Sequence, residues 1–125
     1  MCSLWGAYSS VLTKDEKSNV MLLGLLGATR GLDSTGLVAI GRNDKKKTKY
    51  SMHKALGNSC SFFETKDAMR VLSLESSMLL MGHTRQATNG EINLRNAQPI
   101  EEGHIIGCHN GSINHFFDEK KKDHH

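Results

Sequence analysis

The stretch SMLLMGHTRQATNG, residues 77–90, decides how the rest of the chain is read. Its first six residues are apolar or small, a composition that suits a short buried strand. The remainder is polar and punctuated by glycine, and it carries His83, Arg85 and Thr88. Where a buried strand runs into a glycine-rich polar loop, side chains and backbone amides can converge on a ligand. The stretch therefore predicts β-structure that ends at a candidate site.

The neighbouring segments extend this pattern in both directions. Downstream, NAQP at 96–99 precedes HIIGC at 104–108, a second short strand that ends at His109-Asn110-Gly111. Upstream, residues 62–75 place Phe63, Met69 and Leu72 at helical spacing. GLVAIG at 36–41 reads as a buried strand, and the polar RNDKKKTK segment with Asn43-Asp44 reads as a hairpin turn into a return strand over 50–54. The run Lys45-Lys46-Lys47 is then the solvated tip of that hairpin. Residues 14–29 predict a helix capped by Thr13 or Asp15, with Asp15 and Glu16 favoured by the helix dipole. Gly24 and Gly27 lower its propensity and are read as close-packing positions. Residues 2–12 read as a buried strand. The order strand, helix, hairpin, helix, strand, loop, strand is a mixed α/β pattern.

Composition limits the function classes. A chain of 125 residues, 38% hydrophobic and 23% charged, suits one folded domain. A net charge of +3, with basic residues in short runs, gives no reason to expect a nucleic-acid partner. Cys2, Cys60 and Cys108 are an odd set without short paired spacing, which fits a reducing cytoplasm better than a disulfide framework. Cys60 and Cys108 are read as inert buried thiols. The first residues lack a basic-then-apolar leader pattern, and the apolar run 20–28 is too short to span a bilayer, so no membrane partner is expected. His53, His83, His104 and His109 show no zinc-ligand spacing, so neither a metal nor another cofactor is expected.

Cys2 carries the sharper chemistry. Removal of Met1 would leave a thiol and an α-amine on one residue, with ordinary pKa values of about 8.5 and about 7.7–8.0. A nucleophile and a base would then sit together near neutral pH, an established route to an activated thiol. For a lone Met-Cys start, the ordinary reading is a small buried residue. Three other segments stand beside it: RGLDSTG at 30–36, with Arg30 and Asp33 around two glycines, GHTRQATNG at 82–90, and CHNGSIN at 108–114. Asn110-Gly111 taken alone is also a strong hairpin-turn dipeptide.

Taken in order behind Cys2, these segments and NAQP resemble the class II glutamine amidotransferases, a family of N-terminal-nucleophile hydrolases. The resemblance runs from residue 2 to about residue 114. It implies a four-layer αββα sandwich with antiparallel sheets, or an incomplete form of it, with 1–125 as the N-terminal part of one glutaminase domain. It implies hydrolysis of the L-glutamine side-chain amide through a γ-glutamyl thioester on Cys2. The released ammonia would serve an acceptor on a partner chain or another domain. Asn110 and Gly111 would donate to the oxyanion, Arg85 would hold the α-carboxylate with Thr88 also in the substrate site, and Arg30 and Asp33 would brace the loops. The sequence departs from the family pattern at Ser3-Leu4 (usually Gly-Ile), Gln86 (often Trp) and Gln98 (often His). The family's amine-binding aspartate lies in a Ser-Asp motif beyond HNG that is not found before His125. The competing expectation is a non-catalytic fragment of such a domain that binds a partner.

Overall fold

The computed structural model describes residues 2–87 and 90–111. Over these residues the chain is α/β with antiparallel sheets. Six strands are present, β1 Ser3–Tyr8, β2 Ser34–Arg42, β3 Thr48–Leu56, β4 Ser77–Arg85, β5 Ile100–Glu102 and β6 Ile105–Gly107. Three helices accompany them, α1 Lys14–Leu26, α2 Ser59–Phe62 and α3 Lys66–Leu72.

Local chemistry sets several of these boundaries. Of the two caps considered for α1, Thr13 serves. Its hydroxyl accepts the Glu16 N–H at 3.1 Å while the Glu16 carboxylate accepts the Thr13 N–H at 2.8 Å, a reciprocal pair that satisfies two otherwise orphaned donors. The expected helix over 14–29 is α-helical to Leu26 and then tightens into a 3-10 turn, Gly27–Thr29. The continuous helix expected over 62–75 is instead two helices, α2 and α3. Asn58 caps the first, and the Thr65 hydroxyl, which donates to the Phe62 carbonyl, accepts the Ala68 N–H and so begins the second. The turn between them lets Phe62 and Phe63 both reach the core, edge to face at 5.2 Å.

The hairpin tip is built by Asn43, whose side-chain oxygen accepts the N–H groups of Lys45 and Lys47. The three lysines are exposed, as expected of a solvated tip. The strand read at 104–108 is the return arm of a short hairpin, β5–β6, which turns at Gly103-His104.

All pairings in the four-stranded sheet are antiparallel, in the order β1-β4-β2-β3. Directly opposed residues share a face, so the register sorts the side chains. One face carries Trp5, Leu37, Ala39, Leu80 and Gly82, and there Val20, Phe62, Phe63, Ala68, Val71 and Leu72 from the helices complete the core. Trp5 is clamped between two glycines. A Cβ on Gly24 of α1 would stand 2.8 Å from its ring, and a Cβ on Gly82 of β4 would overlap it. Gly27 likewise lies against the Ser3 and Thr84 hydroxyls, so the close packing expected of the α1 glycines is present.

The opposite face carries Gly36, Val38, Lys54, His83 and Arg85. One end of it is covered by the segment 90–111. The Lys54 ammonium donates to the Ala97 carbonyl at 2.8 Å, and a Cβ on Gly36 would overlap the Gln98 carbonyl oxygen. Beyond that cover Leu4 and Tyr8 are exposed.

Candidate active site

The β1–β4 register creates the site. Ser3 pairs with Thr84, so Cys2, one residue before β1, meets the end of β4. The Gln86 N–H donates to Cys2 Sγ at 3.4 Å, and Sγ lies 3.5 Å from the Gln86 carbonyl. The Asn110 side-chain amide donates to the Cys2 carbonyl at 3.3 Å. An Asn amide carries two N–H donors, so this bond leaves the second for another acceptor. Gly111 follows with φ +117°, a left-handed conformation that glycine adopts without Cβ strain. Residues 84 and 108 positions away in sequence thus meet at Cys2.

Asp33 ties the loop after β4 to the start of β2. Its backbone N–H donates to the Arg85 carbonyl at 2.9 Å, and its carboxylate accepts the Ala87 N–H at 2.7 Å. Arg30 lies at the exit of the 3-10 turn, where its N–H donates to the Gly27 carbonyl. Arg85 points to the covered face and is 1% exposed. Its guanidinium donates to the Glu91 carbonyl at 2.8 Å, an oxygen that also accepts from Asn96. Thr88 lies outside the described residues.

The covering segment is itself pinned by side chains for which sequence reasoning assigned no role. Gln98 Oε1 accepts the His109 N–H at 2.7 Å, which fixes the backbone just before Asn110. The Asn96 N–H donates to Asn93 Oδ1 at 2.9 Å. The polar character of NAQP was visible, but not which backbone group each side chain would hold. Gly36 was visible as the last residue of RGLDSTG and the first of a strand, but its role in letting 97–99 approach the sheet depends on the tertiary fold.

His83, which lacks zinc-ligand spacing in the sequence, is 1% exposed on the site face, two residues before Arg85. Burial pushes its pKa down to about 4, although the Asn110 side chain and His109 backbone favour the protonated form. The charges of His109 and Arg85 oppose it. Burial also pushes the Cys108 thiol up to about 12, with Lys54 countering weakly; such a thiol is a poor nucleophile at neutral pH. Lys54 is lowered, chiefly by burial. The expectation that Cys60 is buried is corrected: it lies on the outer side of the one-turn α2 and is exposed.

A groove of about 350 Å³ between α1 and α3, lined by Lys14, Lys17, Met21, Met69 and Leu72, lies in the helical layer and contains none of these site residues. Among the described residues, no cluster of His, Cys, Asp and Glu could hold a metal ion, and no helix is long and apolar enough to cross a membrane.

No family model matches the sequence. Over 119 residues, 90% of this chain, it is 34% identical to the amidophosphoribosyltransferases of Rattus norvegicus and Mus musculus, and 33% identical to that of Homo sapiens. The aligned portion is 22% of each relative. The chain spans about a fifth of the length of these curated relatives, and over nine-tenths of its own length it is similar to one portion of an amidophosphoribosyltransferase.

Proposed function

We propose that this chain is a glutaminase-type domain of the class II glutamine amidotransferases, with Cys2 as nucleophile once Met1 is removed. The observation that carries the reading is the meeting of Cys2, the Arg85-Gln86 end of β4 and Asn110 at one edge of the sheet. The likeness to amidophosphoribosyltransferases over 90% of the chain supports it.

In this reading Cys2 Sγ attacks the side-chain amide carbon of L-glutamine. The thiol proton passes through the α-amine to the departing nitrogen, and ammonia leaves a γ-glutamyl thioester. Water then attacks the thioester, releases glutamate and restores the thiol. Asn110 and the Gly111 N–H stabilise the oxyanion of both tetrahedral intermediates. Donors of this kind are commonly worth about 2.7–4 kcal/mol to the transition state. Arg85 matches the α-carboxylate with a planar two-pronged donor, and Thr88 completes that part of the site. Asp33 and Arg30 support the surrounding loops. The acceptor of ammonia belongs to a further domain or partner chain, and a second sheet over the open sheet face would make the four-layer αββα sandwich. The three free thiols suit a reducing cytoplasm.

A glutamine-like diazo-ketone, followed by peptide mapping, tests the proposal. Stoichiometric labelling at Cys2, blocked by L-glutamine, is expected. Labelling confined to the exposed Cys60, or indifferent to glutamine, removes Cys2 from the role.

A second reading, a non-catalytic partner-binding module, takes its support from Arg85, which is buried and held by the Glu91 carbonyl. It predicts no glutamine-protected labelling at all.

A further inference from the structure

The imidazole of His83 is 1% exposed, and among the described residues neither ring nitrogen meets a partner in full hydrogen-bond geometry, although the Asn110 side chain and the His109 backbone bear on it as hydrogen-bonding neighbours. Buried polar groups are ordinarily paired, so an imidazole held in this way beside a candidate site calls for an account. By register His83 stands between Leu4 of β1 and Gly36 of β2, on the face covered by 90–111. The groups that bear on its charge are the Asn110 side chain, the His109 backbone, the His109 ring and Arg85. Asn110 is tied to Cys2 through its amide nitrogen, and its carbonyl end is what an imidazole N–H can meet.

We propose that His83 is a positioning residue for Asn110: its neutral ring N–H takes the Asn110 side-chain oxygen when the site tightens around a ligand. The amide N–H groups are thereby aimed at Cys2 and the reacting carbonyl. This role rests on the glutaminase reading for its consequence, though not for its geometry. A neutral ring fits because it adds no cation beside Arg85, whereas a charged one would compete with it for a carboxylate. Gln98 supports the same unit from the other side by holding the His109 N–H. The orientation of Asn110 is thus set from both β4 and the 96–99 segment.

The test uses the full chain with Met1 removed. In the unmodified protein, an NOE between the His83 ring protons and the Asn110 side-chain amide protons is expected. Its absence, both free and with L-glutamine present, overturns the proposal. In His83→Phe the Asn110 amide resonances should move while those of Asn43 and Asn58 stay, and His83→Gln should restore them in part. Unmoved Asn110 resonances in a folded His83→Phe also overturn it. Glutamine hydrolysis should fall about 10- to 100-fold in kcat at nearly constant KM in His83→Phe, the scale of a misplaced catalytic group, with partial recovery in His83→Gln. If the NOE is present but the unmodified protein does not turn over glutamine, the positioning stands and the glutaminase reading falls.

Discussion

The two faces of the four-stranded sheet are built on opposite principles. The helical face is apolar and interlocked: Trp5 fills the space left by Gly24 and Gly82, and Leu37 and Leu80 are fully buried beneath α1–α3. The other face buries polar groups, namely Arg85, His83, Asn96 and Gln98, under a segment with little regular structure. Among the described residues several of these atoms lack a partner: both His83 nitrogens, Asn96 Oδ1 and Gln98 Nε2. Stability therefore resides on the first face. The second gives up some of it to hold polar groups out of water, where their interactions are stronger.

If that division holds, Leu80→Ala should cost about 2–5 kcal/mol, the range for truncating a buried leucine. Cys2→Ala should change stability by no more than about 0.5 kcal/mol. Urea melts of both variants check this, and comparable losses would erase the contrast. The second effect is a pH dependence confined to the polar face. His83 has a folded pKa of about 4 against an ordinary 6.5. Above pH 6.5 the ring is neutral in both states. As pH falls toward 4 the unfolded chain takes up a proton that the folded one refuses, so stability is lost. The shift corresponds to about 3 kcal/mol. The wild type should lose that much relative to His83→Gln between pH 7 and pH 4, and parallel curves would contradict it.

Gly36→Ala is the third test. Its Cβ would overlap the Gln98 carbonyl, and the segment must shift, at a cost of about 1–3 kcal/mol. Alkylation of Cys108 should accelerate while Trp5 fluorescence stays unchanged; a change at Trp5 instead would show that the faces are coupled. The smallest effect belongs to the helical layer alone. Thr13→Ala removes one half of the α1 capping box and should cost about 1 kcal/mol, read in thermal melts, with no change in Cys2 labelling.

The sequence was informative wherever the signal was local. The start of α1 at Thr13 or Asp15, the turn at Asn43-Asp44 and the apolar hearts of β2 and β4 were readable because each depends on residues within four positions. The break between α2 and α3 was also announced, by Asn58 and Thr65, but the spacing of Phe63, Met69 and Leu72 overrode it. The apolar run of β4 stops at Gly82, yet the strand continues through His83, Thr84 and Arg85. Polar residues buried for a site break the hydrophobic pattern that would otherwise have extended the strand. Cys2, Arg85 and Asn110 were found through their motifs. Gly36, Gln98 and Lys54 act through partners more than ten residues away; the first two lie in the RGLDSTG and NAQP motifs, but the groups they meet are not readable from their neighbours in sequence.

The pairing of β1 with β4 also sets a timetable. Ser3 and Thr84 are 81 residues apart, so the first strand has no partner until the chain has been made through β4. At roughly 5–20 residues per second that is an interval on the order of 4–16 s. A link across so much chain is also slow to form because of the loop it must close. During that interval the first residues are unpaired and open to processing enzymes. Once β4 arrives, the same residues become an edge strand with Cys2 against Gln86, so under the proposed function removal of Met1 is expected to precede docking of the thiol.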